Sequence, residues 1–344
     1  MEPISSIDIM EISDTASIPH FINKNGPMAV ALDVTNACNF HCLHCFNNSG
    51  LKRNNELSNE EILDVARQIA EFNCITVCLC GGEPMSRSNI FEVIECISNK
   101  TGYLNMVSNG SLISKAVASN LKKSGLYLLQ ISLDGINSMQ HDTLRGHEGA
   151  FIKAVSAIEY AKEAGLKTIT SFAPNRLNYR TIDKYIDFCF KLGVSEVRAM
   201  PMIPMGRGGK LGPLTMNSEE YIEFQQVFRT KKREYQGKGL MLEWGDPIDH
   251  YIRMPNNDRL GMKTYCMEIK SDGSLTVSTY LPIIVGNVRN HSLKEYWDNG
   301  YDTIWGNTQI QGYIKKIQNI YDFDEFEPKP YSDEVIDLDL LDRP

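Results

Sequence analysis

Six short apolar runs, at 29–34, 75–80, 104–107, 126–133, 167–172 and 196–200, alternate with stretches whose apolar residues recur at helical spacing. That alternation constrains the fold more than any other feature. Strand and helix in strict succession imply a parallel sheet whose crossovers are right-handed. Ser58 followed by Glu61 reads as a capping box, and Ile62, Val65, Ala66 and Ile69 then mark one buried helix face. Further helices are expected near 88–100, 114–124, 149–164 and 180–192, with Gly125, Gly165 and Gly193 standing where left-handed C-caps belong. The pattern breaks in a Pro- and Gly-rich stretch from Pro201 to Pro213. Beyond it come a helix near 218–235, short strands at 240–244 and 274–277, and a small helix start at 290–297.

The residues that carry chemistry sit where such strands end. Cys38, Cys42 and Cys45 follow the first strand, Gly81-Gly82-Glu83-Pro84 the second, Ser108-Asn109-Gly110 the third, and Ser132-Leu133-Asp134-Gly135 the fourth. In parallel α/β folds ligands gather at those carboxyl ends. Three thiols on one loop suit iron or zinc rather than magnesium or calcium. A structural zinc site asks for a fourth protein ligand, and no second Cys-x-x-Cys or Cys/His pair follows. His41 and His44, inside the cysteine stretch, are expected to face solvent or to back the ligands.

With 344 residues the chain has room for a large domain and a smaller one. Its net charge of -8 argues against a general nucleic-acid binder. Nine cysteines without a secretory leader point to a reducing compartment, and no run approaches the roughly 18 apolar residues of a membrane span. A cytoplasmic location, with neither nucleic acid nor membrane as partner, is therefore expected.

Cys38-x-x-x-Cys42-x-x-Cys45 with Phe40, Gly81–Pro84 and Ser132–Gly135 followed by His141-Asp142 and Arg145-Gly146 together resemble the radical S-adenosylmethionine (SAM) superfamily over residues 28–210. The resemblance implies an α/β fold, a partial (β/α)6 TIM-type barrel. It implies one [4Fe-4S] cluster on Cys38, Cys42 and Cys45, its fourth iron chelated by SAM. Three-cysteine ligation leaves that iron open to a chelating ligand. Reductive cleavage of SAM would give a 5'-deoxyadenosyl radical that abstracts hydrogen from substrate, with a flavodoxin- or ferredoxin-type donor supplying the electron. Gly81, Gly82 and Glu83 would position the methionine ammonium, Ser132 and Asp134 the ribose or methionine, and Arg145 the SAM carboxylate. Ser108 and Asn109 join the cofactor set, and Phe40 would shelter the cluster or stack on adenine.

The stretches Cys266, Ser271–Pro282, Gly286-Asn287-Val288 and Ser292–Trp297 resemble the C-terminal SPASM or twitch extension of the same superfamily. Its auxiliary clusters need several cysteines, and none follows Cys266. A degenerate α+β auxiliary domain without a cluster is expected. The division is then 1–27 lead-in, 28–215 barrel, 216–320 twitch/SPASM-like domain and 321–344 acidic tail. The leading function is radical modification of a ribosomally made peptide. The alternative is rearrangement, epimerisation or dehydrogenation of a small metabolite or nucleotide, and a third reading is a non-catalytic metal-binding interaction protein. Tyr280, Cys266 and Arg198 are weak catalytic candidates. Arg198, a cation on an apolar strand, needs a partner, for which a bound carboxylate would serve. Met200, Met202 and Met205 could line a substrate channel but fit gap-filling core, and Cys74, Cys78, Cys80, Cys96 and Cys189 read as buried core thiols. Glu243, Asp246 and His250 could lie on a substrate-facing loop.

Overall fold

The computed structural model describes residues 26–245, 247, 249, 251, 255, 263–319, 322 and 335–341. The lead-in up to residue 25, Asp246, His250 and most of the acidic tail lie outside the described residues. The alternation is realised as β1 (Ala29–Thr35), α1 (Asn59–Glu71), β2 (Thr76–Gly81), α2 (Ile90–Ser98), β3 (Tyr103–Ser108), α3 (Lys115–Lys123), β4 (Leu128–Ser132), α4 (Ser138–Arg145), α5 (Ala150–Glu163), β5 (Lys167–Phe172), α6 (Ile182–Leu192) and β6 (Glu196–Ala199). Then follow α7 (Ser218–Tyr235), β7 (Met241–Trp244), β8 (Cys266–Ile269), β9 (Ser274–Thr276), β10 (Ile283–Asn287), α8 (Leu293–Asp298), α9 (Thr308–Ile314) and β11 (Ile336–Asp337).

Local chemistry explains the boundaries. Ser58 and Glu61 close the expected capping box on α1, and Ile62, Val65, Ala66 and Ile69 are buried beneath it. Asn217 with Glu220, and Ser292 with Glu295, cap α7 and α8 in the same way. Helix α4 was not foreseen, although Asn137 caps its first turn and Gly146 ends it in the left-handed conformation.

All the described strands join one sheet in the order β11-β10-β9-β8-β1-β2-β3-β4-β5-β6-β7. Strands β1 to β7 are parallel neighbours, β8 adds in parallel beside β1, and β9 and β10 run antiparallel. The strands after residue 240 therefore flank both ends of the six-unit repeat, β7 beside β6 and β8 beside β1. Among the described residues no pairing joins β7 to β8, so the sheet is open in its hydrogen bonding. The side chains of Val30, Leu32 and Val34, of Val77 and Leu79, and of Leu104 and Met106 are buried in one continuous core. The alternate residues Ala31, Asp33, Cys78, Cys80 and Asn105 are only half-buried, as the period of a strand requires. Cys74 and Cys189 are core thiols as expected. Cys78 and Cys80 differ, because they share the face of Asp33 rather than that of Val77 and Leu79.

Candidate functional site

The cysteine loop leaves the carboxyl end of β1 and is pinned before any cofactor is considered. Glu56, itself buried, accepts hydrogen bonds from Thr35 Oγ1 (2.8 Å) and from the Asn36 amide (2.7 Å). The Cys38 amide donates to Gly50 O at 2.8 Å and the Leu43 amide to Leu144 O at 2.9 Å. From beyond the Pro/Gly-rich segment, Arg207 donates through Nε to Cys42 O (2.8 Å) and through a guanidinium nitrogen to Ser49 O (2.8 Å). Arg87, buried, ties the carbonyls of Val34, Leu57 and Ser58 together. Neither arginine was singled out in the sequence, since their partners lie far away along the chain.

The Gly81-Gly82 pair is dictated by that same loop. Gly81 has φ +110°, and a Cβ on Gly82 would stand 2.2 Å from Ala37 O. The backbone answers with hydrogen bonds from Gly82 N to Thr35 O (2.7 Å) and from Glu83 N to Ala37 O (2.8 Å). Close approach here is to the cysteine loop itself. Glu83 is fully buried. Its oxygens accept from Ser108 Oγ (2.8 Å), the Asn109 amide (2.8 Å) and the Met85 amide (3.2 Å), so one carboxylate draws the ends of β2 and β3 together. Burial pushes its pKa up, against the pull of those donors. A carboxylate has about four lone-pair sites, and three are used.

The three thiols stand free of disulfides. Cys42 is buried in a small apolar cluster with Phe40 and Ala150, and Cys38 and Cys45 pack against it. Each sulfur meets a donor: Cys38 the Phe40 amide (3.5 Å), Cys45 the Ser49 amide (3.4 Å), Cys42 an Arg145 guanidinium nitrogen (3.9 Å). Donors aimed at sulfur are what stabilises thiolate ligands and tunes iron–sulfur clusters. Burial raises the Cys38 thiol to about 11 and pushes Cys42 up too, so thiolates would form here only with a metal that displaces their protons. No three His, Cys, Asp or Glu side chains among the described residues converge on one ion. A cubane distributes its thiolates over separate irons and asks for no such convergence, so the donor set fits it.

Beneath Cys42 lies a buried charge pair. Asp134 accepts from Arg145 Nε (2.7 Å) and the Ala173 amide (2.8 Å), and its own amide donates to His141 Nδ1 (3.0 Å). Burial alone would raise the Asp134 carboxyl, yet Arg145, His44 and His141 hold it low. Arg145 is pushed down by burial and pulled further up by Asp134 and Cys42. Burial, then Arg145, depress His44 and His141 to about 4, so both imidazoles are neutral near pH 7. His41 is exposed, as expected, but His44 is half-buried and its Nδ1, like His141 Nε2, has no hydrogen-bond partner. Asp142 caps α5 by accepting from the Gly149 and Phe151 amides. The Phe40 ring lies 4.3 Å from His147, and buried Ser132 ends β4.

The remaining candidates are placed unequally. Tyr280 reaches the mouth: its ring stands 5.7 Å from that of Phe46 and its hydroxyl 3.7 Å from Met200 Sδ. Arg198 finds its partner within the chain, pairing with Glu196 on the same strand face and donating to Gln130 at 3.4 Å. Cys266 is not brought to the mouth. It pairs with Ala29, at the opposite end of β1 from the cysteine loop, about 20 Å away by strand rise. Met202 and Met205 are buried.

On the other side of the mouth lies a polar group that the sequence did not reveal. Asp33 accepts from Cys80 Sγ (3.3 Å) and pairs with Lys270 (3.4 Å), whose amine also donates to Thr279 Oγ1 (2.7 Å). Glu268, on the same face of β8, is lifted by burial to about 7, with Lys270 opposing and Asp33 reinforcing the shift. A cavity of roughly 90 Å3 opens here, lined by Asp33, Arg53, Lys270, Thr279 and Ile284 among others.

The radical SAM superfamily model matches residues 32–189. An AdoMet-dependent heme synthase of Methanosarcina barkeri is 24% identical over 80% of this chain and 83% of its own length. A PqqA peptide cyclase of Rhizobium meliloti is 25% identical over 79% of this chain and 73% of its own. The fold is similar to that of SuiB from Streptococcus suis. The S-adenosylmethionine-bound form gives a TM-score of 0.68 at 17% identity, covering 86% of this chain and 76% of SuiB. The form bound to precursor peptide SuiA gives 0.64 at 16% identity, with 85% and 67% covered. No described helix is long and apolar enough to cross a membrane. Members of the family are enzymes that use SAM and a [4Fe-4S] cluster, and residues 32–189 of this chain, which carry the cysteine loop, the Gly-Gly-Glu turn and the strand-end cluster, form a radical SAM domain.

Proposed function

We propose that Cys38, Cys42 and Cys45 hold a single [4Fe-4S] cluster and that the surrounding strand ends bind SAM. The observation that carries this is the set of three free thiols at one strand mouth, each met by its own donor. Bound there, cluster and SAM supply one-electron cleavage of the sulfonium and hydrogen-atom abstraction from substrate. The chain's own residues prepare the site. Glu83, with one lone pair unspent, suits an ammonium group, and Ser108 and Asn109 fix its orientation. Asp134 holds Arg145 against Cys42, where the guanidinium also suits a carboxylate. Phe40 and Ala150 exclude water from the buried thiol. The electron comes from an external flavodoxin- or ferredoxin-type donor.

For the substrate we infer a peptide. The mouth cavity mixes Asp33, Lys270 and Arg53 with Leu281, Pro282, Ile283 and Ile284, a lining suited to an amphiphilic chain. The peptide cyclase relative and the fold shared with SuiB, seen with its precursor peptide, support that class. Cys266 stands alone beyond the repeat, which suits one cluster per chain. The heme synthase relative favours a second reading, a small cyclic metabolite bearing carboxylates. Anaerobic turnover with deuterated candidate peptides and with a carboxylated tetrapyrrole distinguishes the two. Deuterium appearing in 5'-deoxyadenosine from a peptide supports the first reading, and deuterium only from the tetrapyrrole overturns it.

A further inference from the structure

At its β11 end the sheet is closed by a short segment of the chain itself. Residues 335–341, Val-Ile-Asp-Leu-Asp-Leu-Leu, lie parallel to β10, with Ile336 opposite Ile283 and Asp337 opposite Ile284. Three amides supply the attachment: Ile336 N to Pro282 O (2.8 Å), Leu338 N to Ile284 O (2.8 Å) and Leu340 N to Val285 O (3.0 Å). Ile336, Leu338 and Leu340 pack half-buried on the core while Asp337 is exposed. The hold is modest, because only two residues are in strand register and the apolar side chains are incompletely covered.

Two further observations set this seat apart from an ordinary edge strand. The groove beneath Ile336 and Leu338 is larger than its occupant: about 310 Å3 lies open there, lined by Gln309, Gly312, Tyr313 and Lys316. Val335, immediately ahead of the strand, lines the mouth cavity together with Asp33 and Lys270. The register makes a chain seated on β10 run in the same sense as β10, β8 and β1, and its upstream neighbour Val335 stands beside the cavity.

We propose that the β10 edge is a docking site for an extended substrate peptide, with large apolar residues at alternate positions and carboxylates between them, which residues 335–341 fill in the free protein. Main-chain hydrogen bonds to the edge carbonyls give attachment, and the groove by Tyr313 and Lys316 gives side-chain selection. As a statement about substrate this rests on the peptide reading above, but the docking itself is tested without turnover.

A fluorescent peptide of residues 333–342 is titrated against the full chain and against full-length Leu338→Pro, which loses the amide donated to Ile284 O. A tethered segment competes at a millimolar effective concentration, so the variant should bind the peptide at least about tenfold more tightly than the parent chain. The same peptide carrying proline in place of its own leucine should bind neither. Equal binding to both chains, or none to the variant, overturns the proposal. A second measurement needs no variant: saturating peptide added to the parent chain should speed hydrogen exchange at the Leu338 and Leu340 amides of the protein, and unchanged exchange overturns it. Photo-crosslinking from the position before Val335 should label residues 270–282, which line the cavity beside it, and labelling of none of them overturns the placement. Failure of every peptide to be modified would remove the substrate reading while leaving these binding results intact.

Discussion

In the wall formed by β1 to β4, Glu56, Glu83 and Asp134 are buried, and every one of these carboxylates takes hydrogen bonds from backbone amides. Where β1 meets the wall formed by β8 to β11, Glu268 and Lys270 share one half-buried group with Asp33 of β1, a cavity opens beside them, and the last strand of that wall is loosely seated. The first arrangement fixes atoms in place, as a cofactor with one productive geometry demands. The second leaves charge and space to be reorganised by what binds, as the substrate side of the proposed site would require. Each of the following changes presses on that difference.

The largest effect is expected at the thiols. Cys42→Ala should leave the chain folded but reduce iron and sulfide to background under conditions that load the parent chain with about one cubane, the arrangement three thiolates permit. Two cubanes per parent chain would mean that the second wall holds one as well. Next comes the buried pair. Arg145→Met leaves Asp134 without its partner and should lower stability by about 3–5 kcal/mol in urea unfolding, because the first wall has no solvent to screen the loss. A loss below about 1 kcal/mol would show that this wall is wetter than its hydrogen bonds imply.

The second wall should respond to pH instead. Folded Glu268 keeps its proton to about 7 while an unfolded glutamate releases it near 4.5. The unfolded state therefore binds fewer protons across that window, and stability falls as pH rises from 5 to 7. Glu268→Gln should remove that slope and gain on the order of 2 kcal/mol at pH 7.5, read from unfolding midpoints across the range. An unchanged slope would place the titration elsewhere. The smallest effect is expected at the clasp between the walls, where Arg289 holds Glu61 at 2.6 Å and lowers its pKa to about 2. The pair is well exposed and screened, so Arg289→Ala should cost no more than about 1 kcal/mol.

The two walls also differ in how far the sequence could be read. The cysteine loop and the strand-end motifs are local signals, and the parallel repeat places them at one mouth. Arg207 could not be read, since nothing near residue 207 indicates that it secures a carbonyl 165 residues away. Arg198 and Glu196 were readable, because residues two apart on a strand share a face. Strand β8 was missed, although Cys266, Met267, Glu268 and Ile269 alternate half-buried and buried. The Asp33–Glu268–Lys270 group arises only when β8 pairs with β1, and no local pattern encodes that pairing.

The wall formed by β1 to β4 is proposed to hold a cluster that cleaves SAM. The most direct test is anaerobic reconstitution of the full chain with iron and sulfide, followed by SAM and a strong reductant, with 5'-deoxyadenosine and methionine quantified. Both products should form in equal amounts and be lost with Cys42→Ala. A fully loaded chain that releases no 5'-deoxyadenosine would mean that this wall does not cleave SAM.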